Sequence, residues 1–149
     1  MKRHIAVVAL MIATSFLAFA VDFTTIDVPG ASSTGATGIN ELGVIVGFYF
    51  VGDVFHGFVR SNNGSFTTID VPGAFGSGAM GINPLGDIVG FYNNHVGSAL
   101  HGFVRNKNGS FTTIDVPGAT LTLPSGINSQ GNIVGGYFVG ASHSFLLSI

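Results

Sequence analysis

The sequence contains no cysteine, and this absence removes several classes of site at once. A disulfide scaffold, a thiolate zinc site, a cysteine nucleophile and a lipidated cysteine all require a thiol. A domain without them is held together by burial of apolar side chains, and its net stability is typically about 5–15 kcal/mol.

Charged residues are also scarce, at 8% of the 149 residues. Two of the five basic residues, Lys2 and Arg3, stand at the N-terminus, so three basic and seven acidic residues remain beyond residue 20. Phosphate binding and electrostatic membrane anchoring both require clusters of Lys and Arg. We therefore expect no nucleic-acid partner and no membrane partner once the N-terminal leader has been removed.

Familiar catalytic patterns are missing as well. Glu41 is the only glutamate, and the sequence has no Gly-x-Ser-x-Gly elbow, phosphate-binding loop or His-Glu-x-x-His motif. Paired carboxylates for glycoside hydrolysis would have to come from repeated aspartates. These stand in identical contexts, whereas acid and base roles need different environments. We predict no catalytic residue, no cofactor and a protein that is not an enzyme.

The first twenty residues have the pattern of a secretory signal peptide. A basic start precedes an apolar run over residues 5–20, which ends in Ala-Phe-Ala. A retained membrane anchor is the alternative, but the run is shorter than the about 20 residues that a span needs. The pattern predicts cleavage after Ala20, a single domain over residues 21–149, and a secreted, cell-surface or periplasmic location.

The sequence is rich in internal repeats. The segment Phe-Thr-Thr-Ile-Asp-Val-Pro-Gly-Ala recurs at spacings of 43 and 45 residues. In each copy Gly-Ile-Asn-x-x-Gly follows, then Ile-Val-Gly, then a His-x-Phe segment. Self-similarity at such a period indicates a repeat architecture. The three units span about residues 23–65, 66–110 and 111–149.

Each unit predicts four short antiparallel strands. Gly, Asn and Pro interrupt the chain too often for a helix of three turns. The second strand is almost entirely apolar, which is typical of a strand covered on both faces. Asn63-Gly64 predicts a tight hairpin turn with positive φ at its central residues. In the first unit the first strand is predicted to end at 38–40, and the others to span 44–50, 55–60 and 66–71.

The predicted fold is therefore all-β, with three four-stranded antiparallel units that resemble β-propeller blades. Three units are fewer than the four to eight blades of a typical propeller. A three-fold β-prism or β-trefoil-like body is one alternative, and two chains that pool six blades is another. Residues 23–28 are a spare copy of the fourth strand, so we expect them to pair with the C-terminal strand over 143–149 and close the last unit.

These segments resemble the extracellular HAF repeats, which are named for a His-Ala-Phe motif. The motif begins here at His56, His101 and His143, with Gly or Ser in place of the middle Ala. The Phe-Thr-Thr-Ile-Asp and Gly-Ile-Asn segments are also similar to that family, so the resemblance extends from residue 23 to about 145. It implies a bacterial, exported, propeller-like protein without an established activity, and it supplies no catalytic residue.

The repeated histidines are the first candidates for a site. His56, His101 and His143 occupy equivalent positions, and on the axis of a three-fold body they could bind zinc with one coordination position open. A histidine can equally be a structural hydrogen-bonding residue that fixes a neighbouring loop. We favour that interpretation and predict no metal site.

Repeated aspartates and aromatic residues leave similar choices. Asp27, Asp70 and Asp115 could bind calcium, but we favour acceptance of backbone N–H bonds in a turn because no Asp-x-Asp-x-Asp loop is present. His95 has no counterpart and is expected in an exposed loop. Aromatic residues of the second strands could form a binding surface, although packing between sheets is favoured; they are Phe48, Tyr49, Tyr92 and Tyr137.

Taken together, these features predict an exported, non-catalytic repeat module for interaction or structure. Its expected partners are copies of itself, another extracellular protein or a cell-surface glycan. The alternative from another class is a small metal-dependent hydrolase or lyase with an axial Asp/His site.

Overall fold

The computed structural model describes residues 21–148, so the predicted signal peptide lies outside the described part. These residues form eleven β-strands in three antiparallel sheets. They contain no helix, and hence none long and apolar enough to cross a membrane. Sheet 1 contains β1 (Ser33–Ile39), β2 (Ile45–Val51), β3 (Val54–Arg60) and β4 (Phe66–Ile69). Sheet 2 contains β5 (Gly76–Ile82), β6 (Ile88–Asn93), β7 (His101–Arg105) and β8 (Phe111–Ile114). Sheet 3 contains β9 (Leu121–Ile127), β10 (Ile133–Val139) and β11 (Ala141–Leu147).

Neighbouring strands in each sheet follow the order of the chain, so every sheet is a meander. The all-β prediction is confirmed. The predicted second strand over 44–50 is observed as Ile45–Val51, and the predicted fourth strand over 66–71 as Phe66–Ile69. The repeat spacing predicts these bounds because each strand is delimited by turn residues that recur with it.

The turns differ in how well they were predicted. In Asn83-Pro84-Leu85-Gly86, the Gly86 N–H donates to the Asn83 carbonyl at 3.1 Å, and Gly86 has a φ of +90°. Proline at the second position of a turn and a glycine with positive φ at its end are typical of this turn chemistry. At Asn63-Gly64 the expectation was wrong, because among residues 21–148 only glycines have positive φ. The Asn63 side chain accepts the Ser65 N–H at 2.9 Å, which holds Asn63 in an ordinary conformation.

The sheets pack face to face in chain order. Successive residues of a strand point to opposite sides of its sheet. The face that carries Ile45, Ile88 and Ile133 is termed the leading face, and the opposite face, which carries Val46, Val89 and Val134, is termed the trailing face.

The trailing face of one sheet packs against the leading face of the next. Val46 and Ile69 of sheet 1 pack with Ile88 of sheet 2, and Val89 of sheet 2 packs with Ile133 of sheet 3. Ile88 is 2% exposed and Val89 is fully buried, so the second strand of the middle sheet is covered on both faces as predicted.

Hydrogen bonds join the sheets at the turn that follows each first strand. The side-chain nitrogen of Asn40 donates to the carbonyl of Asn83, and that of Asn83 donates to the carbonyl of Asn128, both at 3.2 Å. A β-bulge in β1 also lets the Thr37 hydroxyl reach the Ala79 carbonyl at 2.8 Å. These bonds align the first strands side by side.

The predicted closure of the last unit by residues 23–28 is wrong for a single chain. Residues 21–28 form no strand, and within the described part β11 pairs only with β10. The N-terminal segment lies beside sheet 1 instead, where the Val28 N–H donates to the Thr34 hydroxyl at 3.1 Å. Because sheet 2 stands between sheets 1 and 3, a segment that leads into sheet 1 does not reach β11 of the same chain.

Candidate functional site

The repeated histidine and aspartate meet in sheets 1 and 2. Gly57 on β3 lies opposite Ile69 on β4, so the next residues outward, His56 and Asp70, face each other. Their side chains are joined by a hydrogen bond of 2.9 Å from Nδ1 of the ring to Oδ2 of the carboxylate. The equivalent bond between His101 and Asp115 is 3.0 Å. The histidine therefore connects the third strand to the residue just beyond the fourth.

A tyrosine completes this arrangement from the second strand. Tyr49 lies directly opposite His56, and their ring centroids are 5.4 Å apart. Its hydroxyl is 2.9 Å from the Thr68 hydroxyl on β4. The four side chains are termed the polar quartet, which is Tyr49, His56, Thr68 and Asp70 in sheet 1 and Tyr92, His101, Thr113 and Asp115 in sheet 2.

Sheet 3 holds only half of a quartet. Tyr137 and His143 lie opposite each other with ring centroids 5.1 Å apart. Their threonine and aspartate partners would come from a fourth strand, which sheet 3 lacks among the described residues. By repeat spacing the missing partners correspond to Thr25 and Asp27.

The hydrogen bonds of each complete quartet hold neighbouring strands of one sheet together. An ionised carboxylate only accepts hydrogen bonds, so Nδ1 of His56 donates to Asp70 and the ring is held in one orientation. An oriented imidazole can act as a general base, but it needs a nucleophile or substrate proton within about 3 Å. Within the described part no serine or threonine hydroxyl is bonded to His56, and the nearby Thr68 hydroxyl is engaged by Tyr49.

This geometry refines the expectations for both residue types. His56 and His101 each make a hydrogen bond between strands, whereas His143 makes no hydrogen bond through its side chain among the described residues. The expected role of the aspartates in the turn is wrong, because Asp70 pairs with His56 while the Val71 N–H of that turn donates to the Ser77 hydroxyl at 2.9 Å. A hydroxyl thus replaces the carboxylate as the turn acceptor.

The histidines and aspartates do not converge on one point. Among residues 21–148 there is no group of three or more His, Asp or Glu side chains that could hold a metal ion. The three-histidine zinc site and the three-aspartate calcium site considered from the sequence therefore have no geometric counterpart in one chain.

One member of each complete quartet, the threonine, was not singled out from the sequence. Thr68 and Thr113 belong to the repeated Phe-Thr-Thr-Ile-Asp segment, and the strand period of two places Thr68 on the same side as Asp70. That alternation was the available signal. His95, by contrast, is exposed in the loop between β6 and β7, as expected.

The aromatic residues divide between two roles. Phe48 packs between sheets, since its ring centroid lies 6.4 Å from that of Phe91 in sheet 2. Phe55 of sheet 1 lies 5.5 Å from the same ring. Packing between sheets is therefore confirmed for Phe48, whereas Tyr49, Tyr92 and Tyr137 each pair with a histidine of their own sheet.

The two outer faces of the stack differ from the inner ones in exposure. On the trailing face of sheet 3, Val134 is 50% and Leu146 is 68% exposed, whereas their sheet 2 equivalents Val89 and Val104 are buried. On the leading face of sheet 1 a mainly apolar cavity of about 280 Å³ is open. Its lining residues include Ile26, Ile39 and Ile45. Both ends of the stack thus present apolar surface.

Comparison of the chain with known protein families finds no match, and comparison with curated proteins finds none either. Among solved structures, the chain is similar to one described as "Streptogramin B lyase structure", with 19% sequence identity and a TM-score of 0.41. The similar region covers 73% of this chain and 38% of that chain, so this chain spans well under half of that protein's length.

Proposed function

We propose that this chain is an exported, non-catalytic repeat module with propeller-like blades, and that it binds its partners through the two outer faces of its stack of sheets. The observation that carries the proposal is the exposure of Val134 and Leu146 at repeat positions that are buried in the middle sheet. Apolar residues gathered on an exposed face are typical of interaction sites. The partner is another extracellular protein, a cell-surface glycan or a further copy of the chain.

The polar quartets support a structural role for the repeated histidines. Each of the two complete quartets joins three strands of one sheet, from Tyr49 on β2 through His56 on β3 to Thr68 on β4 in sheet 1. The histidine, aspartate, tyrosine and threonine of each complete quartet are engaged in holding strands together. The resemblance to HAF repeats and the signal-peptide pattern support export from a bacterial cell.

The metal-dependent hydrolase or lyase alternative has no specific support. It requires a third ligand near a histidine–aspartate pair, since zinc in catalytic sites takes three protein ligands. His56 and Asp70 are hydrogen-bonded to each other, and the described residues offer no third metal ligand near the pair.

Substitutions on the outer faces test the proposal. We expect Leu146→Asp on sheet 3 and Ile39→Asp on sheet 1 to weaken retention of the purified chain on cell-surface glycans, or its association measured by light scattering, by at least tenfold. A desolvated charge opposes burial of either face. Val96→Asp is the control, because Val96 is exposed on a loop away from both faces.

The same preparation separates the two function classes. Equal binding by all three variants would contradict a role for the outer faces. A rise in melting temperature with Zn²⁺ that is lost in His101→Ala, without any association, would favour the metal-dependent enzyme instead.

A further inference from the structure

The two inner interfaces of the stack use the same repeat positions. Val46 and Val89 are fully buried on trailing faces, and Ile88 and Ile133 are buried on leading faces. In the described part, no other sheet covers the leading face of sheet 1, where Ile39 is 66% exposed, or the trailing face of sheet 3. Because each is a copy of a face that packs against the other kind, the two free faces are complementary.

The hydrogen bonds between sheets run in one direction along the stack. Asn40 donates to the carbonyl of Asn83, and Asn83 donates to the carbonyl of Asn128. Among residues 21–148, the side-chain nitrogen of Asn128 has no acceptor, while its oxygen accepts the N–H groups of Gln130 and Asn132. The Asn40 carbonyl likewise receives no donor from another sheet. A free donor at one end therefore matches a free acceptor at the other.

The N-terminal segment already has the placement of a fourth strand from a preceding sheet. Ile26 lies over the leading face of sheet 1, where it lines the cavity with Ile39 and Ile45, just as its equivalent Ile69 packs on the leading face of sheet 2. The same hydrogen bond from a valine N–H to a hydroxyl recurs at 3.1, 2.9 and 3.1 Å, from Val28 to Thr34, from Val71 to Ser77 and from Val116 to Thr122. Two of these valines follow β4 and β8, which have sheets of their own, whereas residues 23–28 have none.

Among the described residues, sheet 3 lacks a fourth strand, and residues 23–28 repeat the sequence of such a strand. The outer edge of β11 is unpaired among the described residues, and an unpaired strand edge offers a row of backbone donors and acceptors to another strand. His143 and Tyr137 lack the aspartate and threonine that complete the quartets in sheets 1 and 2. Asp27 and Thr25 are the equivalent residues, and neither makes a side-chain hydrogen bond within the described chain.

We infer, on the basis of the proposed function, that the partner at the outer faces is a second copy of this chain, bound head to tail by strand donation. Residues 23–28 of one copy add to β11 of the other as its fourth strand, and the trailing face of sheet 3 covers the leading face of the partner's sheet 1. If both ends engage, two copies close six sheets into a ring. Six blades fall within the four to eight of typical propellers.

The register of the donated strand follows from the sheets that are complete. On β3 and β4, Gly57 pairs with Ile69 and Val59 pairs with Thr67. By repeat equivalence, Ser144 pairs with Ile26, and Leu146 pairs with Thr24, of the other copy. Asp27 then faces the Nδ1 atom of His143, and Thr25 faces the Tyr137 hydroxyl.

Cysteine cross-linking tests this register, since the natural chain has no cysteine to interfere. Chains with Thr24→Cys are mixed with chains with Leu146→Cys and oxidised. Directly paired residues of antiparallel strands have Cα atoms about 4.5–5.5 Å apart, which suits a disulfide. We expect a disulfide-linked dimer. The matched control is Ser142→Cys in place of Leu146→Cys. Residue 142 lies four residues along β11, about 13 Å out of register, so this pair should give little disulfide-linked dimer.

The outcomes are distinguishable. A chain with both Thr24→Cys and Leu146→Cys that forms an internal disulfide as a monomer would show that the chain closes on itself, and would overturn the inference. No cross-link in either combination would also overturn it. If the chain without a cross-link still bound a glycan through Leu146, strand donation would fail while the proposed function stood.

A second measurement uses the incomplete quartet. Asp27→Asn should raise the dissociation constant of the two copies about threefold to tenfold, as expected for one hydrogen bond, while leaving the melting temperature of the dilute monomer unchanged. Asp22→Asn is the control, because residue 22 lies outside the repeat. An equal effect of both substitutions would point to net charge instead and contradict the assigned contact with His143.

Discussion

A glycine stands at the centre of the second strand of each sheet because no space is left there for a β-carbon. A Cβ on Gly90 would contact the carbonyl of Gly78 across the strand pair and lie 2.8 Å from the ring of Phe103. Gly47 and Gly135 meet Phe58 and Phe145 in the same way. In each repeated Ile-Val-Gly segment, glycine is therefore required by the close approach of the second strand to a backbone carbonyl of the first strand and to the aromatic ring of the third.

Gly90→Ala should lower the free energy of unfolding by about 1–3 kcal/mol, which is typical of overpacking in a well-packed core. Urea denaturation at low protein concentration measures the change. Gly136→Ala is the control in the equivalent strand of sheet 3, because a Cβ there would meet nothing closer than the His143 carbonyl at 3.6 Å. Equal losses in the two variants would show that strand conformation, and not the lack of space beside the Gly78 carbonyl and the Phe103 ring, selects glycine.

At the residue scale, sequence reasoning recognised the repeated histidines and aspartates as equivalent positions but did not pair them. Their contact depends on which residue of β3 lies opposite which residue of β4, and that register is set by the hairpin between them. Because Asn63 adopts an ordinary conformation in that hairpin, the turn also differs from the predicted one.

At the scale of the secondary-structure element, the turn that follows each first strand is the feature that connects one sheet to the next. In sheet 2, the Asn83 oxygen accepts the Asp87 N–H at 2.9 Å, which holds the hairpin, and its nitrogen donates to the Asn128 carbonyl of sheet 3. Asn83 is fully buried, so its side chain has no water to replace these partners. One residue thus fixes both a turn and the position of the neighbouring sheet.

Asn83→Ala should destabilise the protein by about 1–3 kcal/mol, because it leaves buried backbone groups without partners. The matched variant is Asn128→Ala, which removes the equivalent bond from the Asn132 N–H and one from the Gln130 N–H, but no bond to another sheet within the described residues. We expect it to cost less. Thermal and urea unfolding of both variants at low concentration give the comparison, and equal costs would mean that the inter-sheet bond contributes nothing measurable.

At the scale of the whole molecule, the stack has two buried interfaces between sheets and two exposed outer faces, although its three units are near copies in sequence. Val89 and Val134 occupy the same repeat position, yet one is fully buried and the other is 50% exposed. Apolar burial contributes about 25 cal/mol per Å², so the two residues differ in their effect on stability. Position in the stack, and not residue type, decides how much each contributes.

Val89→Ala should therefore lower the free energy of unfolding by about 2 kcal/mol, from two lost methyl groups and the cavity that they leave. Val134→Ala should cost under about 1 kcal/mol in dilute solution. Chemical denaturation of the two variants makes the test. A large loss in Val134→Ala at low concentration, where copies are separate, would contradict the exposed trailing face of sheet 3.

The strands, the glycine turns and the repeated apolar faces were determined by the sequence itself, because each depends on spacing over a few residues and recurs three times. Only the tertiary structure decided that His56 meets Asp70, that residues 23–28 lie beside sheet 1, and that Val134 is exposed while Val89 is buried. These outcomes depend on pairing register and on the order in which sheets stack. Such relations join residues far apart in the chain. Because the repeats are nearly identical, the sequence of one repeat does not indicate whether its sheet will be in the middle or at the end of the stack.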